Sequence, residues 1–162
     1  MTFFTQEFFI QLITSFITSI AFAIMFRVSR RHLAYIGVCG TITFAVYYTL
    51  LFFTGSYFVA AFISSMATAI YAEIFARLRH APTILFVLTG IVPTVPGGGL
   101  YRGMRDLLLH NISDSVSHFA TTIEVGIGIA GGIVTVPILL GIVLDFIAKR
   151  KKRKENTKNT IR

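Results

Sequence analysis

The sequence predicts an all-α integral membrane protein with about five transmembrane helices, the fourth of which is broken at a Pro-Gly-Gly-Gly motif. Of its 162 residues, 54% are hydrophobic and 14% are charged, which is too apolar for a soluble domain of this size. The apolar residues form runs of about 20, the length that crosses a bilayer as a helix. One run is interrupted by prolines and glycines, at Pro93, Pro96, Gly97, Gly98 and Gly99.

The first three predicted spans are continuous apolar runs separated by short polar loops. They cover residues 8–26, 33–53 and 57–75. A tight turn around Gly55 joins the second span to the third, so these two are expected to form a hairpin. Because no Lys or Arg precedes the first span, we interpret it as an uncleaved helix and not as a signal peptide.

The fourth segment, residues 82–110, does not fit a single continuous helix. Its apolar part, residues 82–95, would extend only roughly 21 Å as a helix, whereas the hydrocarbon core is roughly 30 Å thick. After the glycines, Leu100, Met104 and Leu107 recur at helical spacing with charged residues on another face, which predicts a short amphipathic helix. The two halves together predict one broken crossing.

The last predicted span covers residues 119–147, and its glycines and single proline predict a tilt or a kink. The polar residues before it offer helix N-caps, with Ser113 and Ser115 as the candidates. A strongly basic segment follows the span. We therefore divide the chain into a transmembrane domain, residues 1–148, and a cytoplasmic tail, residues 149–162, that is expected to be disordered.

The basic residues predict how the chain is oriented in the membrane. With the N-terminus outside and five crossings, all but Arg102 and Arg105 of the 15 Lys and Arg residues are cytoplasmic, as the positive-inside rule requires. A re-entrant fourth segment would place the basic tail outside. We therefore predict a multi-pass protein of the plasma or inner membrane, in contact with the lipid bilayer, with a cytoplasmic C-terminus. Topology explains the net charge of +8, and no nucleic-acid partner is expected.

The break is the strongest candidate for a binding site. Broken backbone at membrane depth is tolerated only where it is buried in protein or lines a cavity, and in transporters such breaks often hold the substrate. Gly97, Gly98 and Gly99 would let the backbone turn and a ligand approach closely. The following helix would offer free N–H groups and a positive dipole end to a carboxylate, with Arg102 and Arg105 adding charge. The alternative is a structural helix–loop–helix in which the glycines only permit the turn.

Glu124 is the candidate for proton coupling, since an ionisable group inside a span is a functional candidate by default. It lies within the last predicted span and has no Lys or Arg within four residues. The alternative is an interfacial position near the outer surface. Glu73, Asp106 and Asp145 each have a basic residue four positions away and are expected to form salt bridges, Asp106 with Arg102.

Other patterns indicate packing and not chemistry. Gly128 and Gly132 form a GxxxG pair, which predicts close helix packing within the bundle or against a partner subunit. The letters GxGxxG at residues 126–131 follow no strand and so do not indicate a dinucleotide site. Cys39 is expected to be a small buried side chain. Because His, Asp, Ser and Cys show no catalytic or ligand spacing, we expect neither an enzyme nor a metal or other cofactor.

The run Ile-Val-Pro-Thr-Val-Pro-Gly-Gly-Gly-Leu-Tyr at residues 91–101, followed by Met104, resembles the signature of the threonine/serine exporter family. The resemblance is to the C-terminal membrane domain of that family, which also occurs as a separate small subunit. It covers about residues 8–147 and includes Ala-Pro-Thr at residues 81–83, where the broken segment opens. The Pro-Gly-Gly-Gly-Leu-Tyr run is specific, and the rest is generic membrane sequence.

The resemblance implies about ten spans in two halves for full-length members, and a larger membrane subunit as the partner of a small protein such as this one. It also implies export of small carboxylates, driven by the proton gradient. Threonine and serine are the substrates of some members and succinate-like dicarboxylates of others. Arg102 and Arg105 stand where uncharged aromatic residues are common in the family, so the resemblance gives these arginines no shared role.

The expected function is therefore that of a small membrane subunit of a secondary exporter. The expected substrate-proximal residues are Pro96, Gly97, Gly98, Gly99, Tyr101 and Arg102. Two alternatives stay open: a non-transporting subunit that assembles or stabilises a partner, and a self-sufficient homo-oligomeric transporter.

Overall fold

The computed structural model describes the backbone of residues 6–160 and the side chains of residues 6–142. Every element in that part of the chain is helical. The predicted salt bridge of Asp145 lies outside the described side chains and stays a prediction. The backbone described for residues 149–160 is helical, whereas the sequence predicts disorder over residues 149–162. The elements are α1 Gln6–Met25, a 3₁₀ turn Arg30–His32, α2 Leu33–Thr54, α3 Tyr57–Arg79, α4 Thr83–Ile91, a 3₁₀ turn Val92–Thr94, α5 Gly97–Leu108 and α6 Ile112–Thr160.

The predicted class of an all-helical membrane protein is confirmed. Among the described residues, α1, α2 with its preceding turn, α3 and α6 are long and apolar enough to cross a membrane. The segments Thr83–Thr94 and Gly97–Leu108 form a pair bent by 48° that would make a fifth span. Large apolar side chains such as Phe53 and Ile24 are exposed on the outer surface, where lipid tails would solvate them. That the bent pair makes a single crossing stays a prediction.

Helix α3 lies at the centre of the bundle because one of its faces consists of small side chains. Lipid tails are as apolar as leucine, so helices in membranes associate through close packing and not through hydrophobic burial. Helices α2, α4 and α6 pack against α3. Its buried residues are Ala60, Ala61, Ser64, Ser65, Thr68, Ala69, Ala72 and Ala76.

Gly128 and Gly132 place α6 directly against α3. A methyl group on Gly132 would lie 2.4 Å from the carbonyl oxygen of Phe62, and one on Gly128 would lie 2.9 Å from the carbonyl oxygen of Phe58. Both distances are too short for a side chain. The GxxxG pair therefore packs within this chain, and no partner subunit is needed to explain it.

Helix α6 begins earlier than the sequence predicts, at Ile112. The predicted N-caps Ser113 and Ser115 lie inside its first turn. The hydroxyl of Ser115 instead donates a hydrogen bond of 2.8 Å to the carbonyl oxygen of Gly103 on α5. A methyl group on Gly103 would lie 3.1 Å from the ring of Phe119, so α5 and α6 are in close contact along this face.

Candidate functional site

A cavity of about 530 Å³ lies beside the break, a volume within the range of small-molecule sites. Helices α2, α3, α5 and α6 contribute to its walls together with the residues of the break. The lining residues are Tyr47, Tyr57, Pro93, Thr94, Val95, Pro96, Gly98, Gly99, Arg102, Ser117, His118, Thr121, Thr122 and Val125.

The prolines, and not the glycines, form the break, which corrects the prediction. A proline has no amide hydrogen and disfavours a helical residue before it. Val95 accordingly is extended, with φ −63° and ψ 127°, and Pro96 is also outside the helix. The glycines that follow are the first three residues of α5, and none of them has a positive φ.

The start of α5 offers one free amide, at Gly98. The amides of Gly97 and Gly99 donate to the carbonyl oxygens of Val95 and Pro96, at 2.8 Å and 3.2 Å, and Leu100 also donates to Pro96. The N–H of Gly98 has no such backbone acceptor within the described chain. Of the N–H groups predicted to face a ligand, only the one on Gly98 is both unused and at the cavity wall.

The three glycines have different environments. A methyl group on Gly99 would lie 2.4 Å from Oγ1 of Thr122, so Gly99 permits the contact between α5 and α6. A methyl group on Gly98 would meet only Nη2 of Arg102, at 3.5 Å, and one on Gly97 would meet nothing within 4 Å. Gly98 therefore borders the cavity without a packing role, and Gly97 is exposed and lies outside the cavity.

Arg102 lines the cavity and is not paired with Asp106, which corrects the predicted salt bridge. Its Nε donates a hydrogen bond of 3.2 Å to the carbonyl oxygen of Gly98. Asp106 is only 4% exposed and faces α6, where Nε2 of His118 lies 3.5 Å from Oδ2. Arg105 donates to Oδ1 from Nε and Nη2, at 3.0 Å and 2.8 Å. The carboxylate is thus occupied by Arg105, and the guanidinium of Arg102 has no ionic partner among the described residues.

Tyr101 and Glu124 lie outside the cavity. Tyr101 is 69% exposed on the outer face of α5. Oε1 of Glu124 accepts a hydrogen bond of 3.1 Å from the backbone N–H of Phe58, in the first turn of α3. A carboxylate there satisfies an N–H that has no partner within its own helix and complements the positive end of the helix dipole.

The predicted salt bridge between Glu73 and Arg77 is present, with Nη2 of Arg77 lying 3.3 Å from Oε2 of Glu73. Within the described residues, no group of three or more His, Cys, Asp or Glu side chains could hold a metal ion.

Comparison with known proteins identifies the family. The model of the family described as Threonine/Serine exporter, ThrE, matches residues 11–139. This range includes all of α2 to α5, parts of α1 and α6, and the whole cavity. The chain belongs to the threonine/serine exporter family. This family membership and the apolar helices establish a multi-pass membrane protein of an exporter family.

The threonine/serine exporter of Corynebacterium glutamicum is 26% identical to this chain over 145 residues. That alignment covers 90% of this chain and 28% of the relative, so the chain spans little more than a quarter of the length of the exporter that it matches. No solved structure matches the chain.

Several residues of the cavity of this exporter-family chain were not anticipated from the sequence. Ser117, His118, Thr121 and Thr122 form a polar face on α6 at helical spacing. The spacing is visible in the sequence, but the last predicted span begins at residue 119, so Ser117 and His118 lie outside it and the face is divided.

Proposed function

We propose that this chain is the small membrane subunit of a secondary exporter of small carboxylates, and that the substrate binds in the cavity beside the break. Membership of the exporter family supports transport. The proposed site rests on one observation. The guanidinium of Arg102, which has no ionic partner, and the free amide of Gly98 lie in the same cavity wall, and no described lining residue has an acidic side chain.

Arg102 and Gly98 are suited to bind one carboxylate group together. Nη2 of Arg102 lies 3.5 Å from the position that a methyl group on Gly98 would occupy, so the guanidinium lies beside the residue that carries the free amide. Charge-assisted hydrogen bonds of this type are about twice as strong as neutral ones. The remaining polar side chains of the lining are hydroxyl groups and the imidazole of His118, which suit a small polar substrate such as threonine, serine or a succinate-like dicarboxylate.

A larger membrane subunit of the same family is the proposed partner. The chain covers 28% of the Corynebacterium glutamicum exporter, and a partner would supply the remaining part. A second cavity, of about 320 Å³, opens on α1 and is lined in part by Gln11, Thr14 and Thr18. The amide of Gln11 makes no hydrogen bond with any described residue, and exposing an amide to lipid is costly. A partner helix on this face would remove that cost.

The proposed location is the plasma or inner membrane, with the N-terminus outside and the C-terminus in the cytoplasm. The distribution of Lys and Arg supports this orientation, because Arg102 and Arg105 are the two basic residues that it leaves on the outer side. An outer position of α5 would place the cavity toward the side on which an exporter releases its substrate.

The test compares Gly98→Leu with Gly97→Leu in cells that also express a larger family subunit. The Cβ of a leucine at position 98, in the cavity wall, would meet only the flexible Arg102 side chain, whereas the Cβ of one at position 97 would meet nothing within 4 Å. We expect Gly98→Leu to abolish threonine or succinate export while the level of the membrane complex is unchanged. Gly97→Leu should export normally.

Export at the wild-type rate by Gly98→Leu would contradict the proposed site and favour a non-transporting assembly subunit. Expression of this chain without the larger subunit separates the remaining alternative. We expect no export from the chain alone; efflux from it would indicate a self-sufficient homo-oligomer.

A further inference from the structure

The cavity contains one imidazole, and a buried carboxylate holds it in place. Asp106 lies in the contact between α5 and α6 and is 4% exposed. Its Oδ1 accepts two hydrogen bonds from Arg105, and its Oδ2 lies 3.5 Å from Nε2 of His118. His118 lines the cavity. A histidine of the cavity wall is therefore in contact with a carboxylate that does not line the cavity.

This arrangement favours one tautomer of the neutral imidazole. A neutral imidazole carries a single N–H, and its other nitrogen is an acceptor. The negative charge of a carboxylate 3.5 Å from Nε2 attracts a proton to that nitrogen, so the neutral ring carries its single proton on Nε2. Nδ1 of His118 is then a bare acceptor. It makes no hydrogen bond with any described residue and is not enclosed.

We propose that Nδ1 of His118 is the proton-binding site of the exporter and that a proton and the ammonium group of an amino-acid substrate compete for it. The inference rests on the proposed function, since it places the substrate carboxylate at Arg102 and Gly98. The ammonium group then donates to Nδ1 while His118 is neutral. Protonation of Nδ1 removes the acceptor and places a positive charge beside the ammonium group, so the substrate is expelled.

Competition of this kind couples the two ligands in opposite directions. Linkage requires that a proton lowers the affinity for substrate by the same factor by which substrate lowers the affinity for the proton. A carrier with this property exchanges protons for amino acid. A dicarboxylate would behave differently, because a protonated His118 would attract its second carboxylate and binding would strengthen on acidification.

Histidine is the side chain that ordinarily changes charge between about pH 5 and 8, which sets it apart from the groups around it. Glu124 is removed from the cavity by its hydrogen bond to Phe58. The other ionisable groups near the imidazole are Arg102, Arg105 and Asp106 on α5, Tyr47 on α2, Tyr57 on α3, and Asp114 one turn earlier on α6.

The first experiment uses the unaltered chain purified with its larger subunit. L-Threonine is added in weakly buffered solution near pH 6.5, and proton release is measured. We expect threonine binding to release protons, more of them as the starting pH is lowered. L-Lactate, which has a carboxylate but no ammonium group, should release none. Proton uptake on threonine binding, or equal release with L-lactate, would overturn the proposal.

The second experiment measures threonine affinity and exchange for His118→Gln. Competition with a proton at Nδ1 weakens threonine binding as the pH is lowered from 7.5 to 5.5. The unaltered protein should show this change and His118→Gln should lose it. In vesicles, His118→Gln should still exchange threonine for threonine but should not respond to a pH gradient. The control is His110→Asn, an exposed histidine outside the cavity with φ 61°, a conformation that asparagine tolerates.

Two failures can be told apart. If His118→Gln keeps the pH dependence of the unaltered protein, His118 is not the proton site although the exporter functions as proposed. If the unaltered complex neither binds nor transports threonine, L-lactate or succinate, the proposed function is wrong and this inference is overturned with it.

Discussion

A methyl group on Gly99 gives the sharpest test of how α5 is held against α6. It would lie 2.4 Å from Oγ1 of Thr122. That hydroxyl donates a hydrogen bond of 2.7 Å to the carbonyl oxygen of His118 and is attached to a β-branched side chain with little rotational freedom. Either Thr122 must rotate and give up this bond, or α5 must move away from α6.

The magnitude follows from a comparison of Gly99→Ala with Gly97→Ala. Both residues are in the first turn of α5, so the change in helix propensity is similar and largely cancels. What is left is the cost of overpacking, about 1–3 kcal/mol. For a protein of this size each kcal/mol shifts Tm by about 2–4 °C, so Gly99→Ala should unfold about 2–12 °C below Gly97→Ala.

Thermal unfolding of the purified chain in detergent, followed by circular dichroism, measures this difference. Replacing Thr122 by alanine as well removes Oγ1 and leaves the Cβ of residue 122 at an ordinary contact distance of 3.7 Å. The double variant should therefore recover most of the lost Tm. Equal Tm values for Gly99→Ala and Gly97→Ala, or no recovery in the double variant, would refute the close contact between these helices.

Two further predictions concern helix α3. Glu124→Gln keeps an oxygen that can accept from Phe58 but loses the negative charge at the start of α3, so it should lower the free energy of unfolding by about 0.3–1 kcal/mol. Export driven by a pH gradient should stay intact. Loss of that export would restore Glu124 as the coupling residue. Gly132→Ala would bring a methyl group within 2.4 Å of the backbone oxygen of Phe62 and should lower the free energy of unfolding by about 1–3 kcal/mol. Gly126→Ala, in open space on the same helix, should not lower it. Equal Tm values for this pair would contradict the packing of α6 on α3.

Local chemistry made the elements and the break predictable. Apolar runs of bilayer length specify helices whatever their neighbours are, because a backbone in lipid must satisfy its own hydrogen bonds. The break is likewise local, since Pro96 ends the preceding helix and extends Val95 through its own ring. Assigning the turn to the glycines was wrong because their conformational freedom permits a turn without requiring one. Because the backbone here needs no positive φ, the three glycines are helical and form the start of α5.

The partners of the polar side chains were decided by the tertiary structure. The spacing along α5 predicted a salt bridge between Arg102 and Asp106, but the carboxylate of Asp106 faces α6 and is bound by the adjacent Arg105. Glu124 bonds to α3, a helix 66 residues away in the chain, and no local pattern predicts that contact. The residues around one polar side chain come from different helices. Which of them meet depends on how each helix is rotated about its axis and shifted along it.

The sequence by itself thus determined that this chain is a helical membrane protein with a proline break, and its motif indicated the exporter family. Only the tertiary structure decided which glycine borders the cavity, which arginine is free to bind an anion, and that His118 faces the same space. The physical reason is that periodicity defines the faces of a helix, whereas the packing of small residues such as Gly99 and Gly132 sets which faces meet.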